Sequence, residues 1–278
     1  MKKELSERGP IGVFDSGYGG LTILKEIRKR LPQYDYLYLG DNARAPYGPR
    51  SFDVVYQFTL EAVRYLFSQG CPLVILACNT ASAKALRTIQ QTDLPKIDPS
   101  RRVLGVIRPT VEKVGELSTS GVIGVMGTNG TVRSRSYNME IEKLHPEFTT
   151  VAQECPMFVP IVEYDEFRSE GADYFVKKYV NALFGSNPRI DTVLLACTHY
   201  PLLFDKIRAA VPERAKVVTQ GEIVADSLAD YLHRHPEMES RCTKGGSVDY
   251  NTTEAPEQFE RLAHIFLGAP IKATRVTL

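Results

Sequence analysis

Leu73-Val74-Ile75-Leu76-Ala77-Cys78-Asn79-Thr80 and Thr192-Val193-Leu194-Leu195-Ala196-Cys197-Thr198-His199 are two stretches of this chain that repeat one another. Each is an apolar, β-branched run that closes on Leu-Ala-Cys and then turns polar. Such a run reads as a strand buried on both faces, and the polar residues after it as the opening of a helix. Each cysteine is therefore expected at the carboxyl end of a strand and at a helix amino terminus, where open α/β sheets bind their ligands. Two thiols at equivalent positions of two similar half-chains can face each other across a cleft. That suits a reaction with two opposed sides.

The rest of the chain repeats around these stretches. Ile11 to Ser16 reads as a first strand, Gly17-Tyr18-Gly19-Gly20 as a turn, and Leu21 to about Leu31 as a helix with positions 24, 27 and 31 on its buried stripe. The glycines form neither GxGxxG nor a P-loop, so a tight strand-to-helix turn is the reading. Tyr34 to Leu39 is a second strand, leading into the irregular loop Gly40 to Pro49. A helix from about Phe52 to Ser68 precedes the first cysteine strand. Another begins near Thr80 and passes through Leu86, and Val103 to Ile107 is a fourth strand.

In the second half, Val122 to Thr128 echoes Ile11 to Ser16, with Ile-Gly-Val recurring at Ile123, 112 positions after Ile11. A helix is expected from about Val132 to Leu144 and a strand from Thr149 to Glu154. The loop Cys155 to Pro160 stands where Ala45 to Gly48 stood, and a helix follows from about Ala172 to Phe184. Cys197 lies 119 positions after Cys78. The alternation of strand and helix in both halves predicts an α/β fold: two pseudo-symmetric domains with mostly parallel, helix-flanked sheets and an active site in the cleft between them. Helices from Glu222 to about His233 and from about Pro256 to Leu267 have no counterpart in the repeat.

Composition narrows the function. The 278 residues are 43% hydrophobic and 24% charged, as in an ordinary globular protein, and long enough for two packed domains. The 34 basic and 33 acidic residues leave a net charge of +1, spread along the chain, so no nucleic-acid or anionic-membrane footprint is expected. A small molecule is the expected partner. The opening Met1 to Arg8 lacks an apolar h-region and no run is long enough to span a bilayer, which predicts a cytoplasmic protein. Five cysteines, at 71, 78, 155, 197 and 242, without any CxxC, argue against a disulfide framework and a zinc site. No metal is expected, and Cys71, Cys155 and Cys242 read as structural.

A thiol at a helix amino terminus is stabilised as thiolate. Exposed backbone N–H groups there, with the hydroxyls of Ser16, Thr80, Thr128, Thr131 and Thr198 and the amide of Asn79, would bind carboxylates. Asp15 and His199 could hold a substrate ammonium or adjust a thiol's protonation. The residues alone leave plainer readings open: Asp15 as a turn cap, Thr80 and Thr198 as helix N-caps, His199 as a packed histidine and Tyr47 as loop packing.

Taken together, Asp15-Ser16-Gly17-x-Gly19-Gly20-Leu21, Pro46-Tyr47-Gly48, Cys78-Asn79-Thr80-Ala81, Gly127-Thr128-x-x-Thr131, Pro156-x-Phe158-Val159-Pro160 with Glu163, and Cys197-Thr198-His199-Tyr200-Pro201 resemble the glutamate racemases, in order and spacing, from about Ile11 to the Phe259–Gly268 tail. The resemblance implies cofactor-independent interconversion of L- and D-glutamate, supplying D-glutamate for peptidoglycan. It implies Cys78 as the base toward D-glutamate and Cys197 as the base toward L-glutamate, assisted by Asp15, Glu163 and His199. Asp15, Ser16, Tyr47, Gly48, Asn79, Thr80, Thr128, Thr131, Thr198 and His199 would line the substrate pocket. It further implies residues 1–107 with 221–278 as one domain, 108–220 as the other, and a homodimer. Around Ile107-Arg108-Pro109-Thr110 the family more often has an acidic residue before the proline and a glycine after it. The same paired-thiol chemistry on aspartate or a hydantoin, a non-catalytic amino-acid receptor and a cysteine hydrolase are the competing readings of the residues.

Overall fold

A computed structural model of the chain describes residues 8–278, and the opening read above as lacking a leader falls, apart from Arg8, outside the described residues. Among the described residues, ten strands form two sheets. The first lobe holds β1 (Ile11–Asp15), β2 (Tyr36–Gly40), β3 (Leu73–Leu76) and β4 (Arg102–Gly105). The second holds β5 (Val122–Gly127), β6 (Thr149–Glu154), β7 (Thr192–Ala196) and β8 (Lys216–Val218). The strand order is β2-β1-β3-β4 in the first lobe and β6-β5-β7-β8 in the second, and every pairing between strands of the described residues is parallel.

The repeat reaches the register. Gly12 pairs with Val74 and Gly124 with Val193; Phe14 pairs with Leu76 and Met126 with Leu195. Moving the first member by 112 positions and the second by 119 converts each pair of the first lobe into its counterpart, so the offsets read from the sequence are those of the strand pairing.

Every residue of β1, β2, β3, β5 and β7 is buried, as continuous apolar strands covered on both faces require. The helix Gly20–Arg30 lays Leu24 and Ile27 on the core, and Leu31 just beyond it is also buried. The C-terminal residues add two strands to the first sheet: β9 (Val248–Thr252) pairs with β2, and β10 (Ala273–Arg275) pairs with β9. The sequence reading missed both, and it expected a fourth strand in the second half without assigning the residues that form β8. β9 buries only alternate residues, Tyr250 and Thr252, so it lacks the apolar run that marks a central strand.

Three expectations are corrected. The fourth strand ends at Gly105, and Ile107 begins a helix, Ile107–Leu117, whose first turn accommodates Pro109 because no N–H is needed there. The helix expected over Val132 to Leu144 is two, Asn129–Arg133 and Ser136–Leu144, separated where Arg135 takes the left-handed φ of 56°. The stretch compared with the Ala45 to Gly48 loop turns helical over Phe158–Glu163, and that turn presents Glu163.

Candidate active site

The carboxyl ends of β1, β3, β5 and β7 meet between the lobes. β3 runs into Cys78, the N-cap of the helix Asn79–Lys84, whose sulfur accepts the Ala81 N–H at 3.4 Å. The Ser16 hydroxyl lies 3.3 Å from the same sulfur. Asp15, the last residue of β1, is buried and accepts the Gly17 N–H at 2.9 Å. Burial raises the Asp15 carboxyl above its ordinary value against the pull of His199. The Cys78 thiol is pushed up to about 12 by burial and the Asp15 charge, against the Ser16 hydroxyl and the Ala81 N–H, which favour the thiolate.

Cys197 corrects the expectation that both thiols cap helices. After β7 the chain makes a tight 3-10 turn over Tyr200–Leu203, and the α-helix begins only at Phe204. In place of a helix terminus, Cys197 has a histidine: His199 Nδ1 lies 3.9 Å from its sulfur, and His199 Nε2 lies 2.9 Å from Glu163 Oε1. Burial opposes charge on this ring, but Cys197 and Glu163 outweigh it and raise the imidazole to about 10. His199 thus stands between the Cys197 sulfur and the Glu163 carboxyl group, both of which favour its charged form.

The lobes touch closely here, which is why glycines stand at the contact. A Cβ on Gly19 would lie 2.3 Å from Thr198 Oγ1 and 2.4 Å from His199 Nδ1, and one on Gly130 would lie 2.5 Å from the Gly48 carbonyl oxygen. The Thr22 hydroxyl donates to the Thr198 carbonyl at 3.0 Å. Thr80 of the first lobe stands 3.1 Å from Thr128 and 3.4 Å from Thr131 of the second, and those two are 3.1 Å apart. Three hydroxyls from two helix starts therefore converge, with Gly48 packed on Thr128. Thr80 and Thr198 are not N-caps; Thr128 is, through the Thr131 N–H at 3.3 Å.

Two expected residues carry contacts the sequence did not suggest. The buried Tyr47 hydroxyl donates to Asp41, which also binds Arg44 and Thr253. Asn79 is held by Gln220 and Tyr137, both buried and neither identified from sequence, since an isolated Gln and Tyr carry no periodic or motif signal. Cys71, Cys155 and Cys242 are buried free thiols like the paired two. At 5% and 6% exposure, Cys78 and Cys197 sit in a site almost closed to water.

A family model described as Asp/Glu/Hydantoin racemase matches residues 21–228. A glutamate racemase of Geobacter metallireducens is 40% identical over 262 residues, 94% of this chain and 93% of that protein. Among solved structures, a glutamate racemase isoform of Bacillus anthracis is 32% identical with a TM-score of 0.88, each chain covered to 98%. The glutamate racemase of Francisella tularensis, solved with D-glutamate, is 29% identical with a TM-score of 0.86 over 98% of both chains. With the duplicated sheets, the paired Leu-Ala-Cys strand ends and these likenesses in agreement, the chain belongs to the Asp/Glu/hydantoin racemase family and, within it, to the glutamate racemases.

Proposed function

We propose that this protein interconverts L- and D-glutamate by two-thiol proton transfer without a cofactor. The observation that carries the reading is the placement of Cys78 and Cys197 at register-equivalent strand ends with unlike partners: a hydroxyl and a backbone N–H at one, an imidazolium–carboxylate pair at the other. The bound D-glutamate of the Francisella tularensis protein supports the choice of substrate.

From L to D, the Cys197 thiolate, next to the His199 cation, takes the α-proton, and the Cys78 thiol gives its own proton to the opposite face. One S–H forms as another breaks, so the pair ends with its protons exchanged and returns to the start through the reverse reaction or through solvent. From D to L, Cys78 is the base, its negative charge supported by Ser16 and the Ala81 N–H. Charge that develops on the substrate's α-carboxylate as the proton leaves needs donors. The Thr80, Thr128 and Thr131 hydroxyls, with Ser16, Asn79 and Thr198, supply that class of group. Asp15 faces the substrate ammonium, Glu163 holds His199, and Tyr47 and Gly48 shape the loop that covers the pocket.

The same reading makes the protein a cytoplasmic supplier of D-glutamate to peptidoglycan, working as a homodimer, with residues 1–107 and 221–278 as one domain and 108–220 as the other. No helix of the described residues is long and apolar enough to cross a membrane.

The test is proton NMR and circular dichroism of the purified protein with each glutamate enantiomer in deuterium oxide. Racemisation with solvent deuterium at Cα of the newly formed enantiomer is the expected result. A faster reaction on aspartate overturns the substrate, and inert α-protons on both amino acids overturn the enzyme.

A further inference from the structure

The chain crosses between the lobes twice, once from β4 into the helix Ile107–Leu117 and once from β8 into the helix Gly221–Arg234. Gln220, 2% exposed, sits in the second crossing and reaches the first: its Nε2 donates to Thr110 Oγ1 at 2.9 Å, with the Val106 carbonyl at 3.4 Å. The same amide closes a ring with Tyr137 of the second lobe and Asn79 of the first. Asn79 Nδ2 donates to Gln220 Oε1 at 2.6 Å, the Tyr137 hydroxyl donates to Asn79 Oδ1 at 2.6 Å, and Gln220 Nε2 donates to the Tyr137 oxygen at 2.8 Å.

With the Thr110 hydroxyl committed to the Val106 carbonyl, the remaining donors and acceptors pair in one arrangement. The two Nε2 hydrogens go to Thr110 and Tyr137; the Thr110 hydroxyl goes to the Val106 carbonyl at 2.6 Å, which leaves its oxygen free to accept. Flipping either amide sets two acceptors or two donors face to face, at a depth where a lost partner is costly. One Asn79 Nδ2 hydrogen remains outside the ring, and Asn79 directly follows Cys78.

We infer that Gln220 and Tyr137 are positioning residues that fix the register of the two lobes at their crossings and, through Asn79, hold the Cys78 side of the cleft opposite the Cys197 side. The inference rests on the two-thiol reading. A reaction finished from the face opposite to the one that began it depends on both thiols standing across one Cα, and a shift of an ångström between lobes separates the two half-reactions. Loss of the ring therefore slows delivery of the second proton more than removal of the first. Intermediates then recapture a proton, by now exchanged with solvent, on the face they left.

Tyr137→Phe and Gln220→Met test this, read against the wild type in deuterium oxide by the ratio of deuterium in the recovered starting enantiomer to deuterium in the product enantiomer. The expected result is a folded protein whose kcat falls by about 10- to 100-fold while that ratio rises several-fold. A side chain that merely supports the fold would lower both labels in proportion. Hydrogen exchange at 106–110 and 219–223, read in parallel, is expected to quicken in both variants whatever the chemistry. If Gln220→Met does not fold, Tyr137→Phe, which removes one oxygen, decides. An unchanged label ratio, or unchanged exchange at the two crossings, overturns the inference. A wild type that does not racemise overturns the proposed function instead, and the exchange measurement still judges the ring.

Discussion

His199 Nε2 and Glu163 Oε1 stand 2.9 Å apart, joining a residue that follows β7 to one on the short helix Phe158–Glu163. The contact explains how a buried imidazole keeps its proton. Burial works against it, and the Cys197 sulfur and the Glu163 carboxylate more than compensate, raising the ring to about 10 from 6.5. A folded-state value above the unfolded one contributes stability that is fully present below about pH 6.5 and is lost as the pH climbs through about 10. Denaturant unfolding from pH 6 to pH 10.5 is expected to show that decline, and Glu163→Gln to flatten it. The His199 ring proton resonances, followed by NMR, should titrate in the alkaline range in the wild type and at lower pH in the variant.

In the proposed mechanism the thiols carry separate halves of the chemistry, so neither can substitute for the other. Cys78→Ala and Cys197→Ala are each expected to lower racemisation by roughly 10²- to 10⁴-fold, the range of a lost acid–base group, with the circular dichroism spectrum unchanged. Steady-state rates with both enantiomers provide the check. Full activity in either variant would remove that thiol from the mechanism.

Gly19 is needed for the approach of the lobes. An added methyl would meet Thr198 Oγ1 at 2.3 Å and His199 Nδ1 at 2.4 Å. Thr198 can rotate, but the ring is tied to Glu163 and buried, so it must move. Gly19→Ala should cost activity by about 10- to 100-fold through displacement of His199, while the thermal midpoint drops only a few degrees. A variant with wild-type kinetics would mean that the lobes stand farther apart in solution.

In the proposed reading the hydroxyl cluster binds the substrate carboxylate. Thr80→Val removes the oxygen that lies 3.1 Å from Thr128 and keeps the shape of the side chain. Losing a hydrogen bond to a charged substrate group is worth about 1.5–3 kcal/mol, so KM for glutamate should rise by about 10- to 100-fold. Initial rates at saturating and limiting glutamate separate this from an effect on kcat, and an unchanged KM would place the carboxylate elsewhere.

Phe158 anchors the turn that presents Glu163. It is fully buried, with edge-to-face contacts to Tyr200 at 5.0 Å and Tyr179 at 5.2 Å between ring centroids. Phe158→Ala is expected to destabilise the protein by about 3–5 kcal/mol, measured by urea denaturation. A loss below about 1 kcal/mol would show that the second lobe closes over the cavity.

Much of the molecule was legible because its information is local. Apolar runs buried on both faces announce β1, β3, β5 and β7, and a strand that ends in Leu-Ala-Cys fixes its thiol at the sheet's edge wherever the strand lies. The offsets of 112 and 119 positions already held the register, since duplicated strands pair alike. Tertiary structure decided what depends on segments far apart in the chain. The sequence could not show that Cys197 answers to His199 and Glu163 while Cys78 answers to a helix terminus and Ser16, because the polar residues after each cysteine look alike and only the 3-10 turn at Tyr200–Leu203 separates them. Nor could it pick out Gln220, whose partners Asn79, Thr110 and Tyr137 lie 141, 110 and 83 residues away. Periodicity records which face of an element meets apolar surroundings. A polar side chain buried against other polar groups leaves no such trace, and its role exists only once the lobes are assembled.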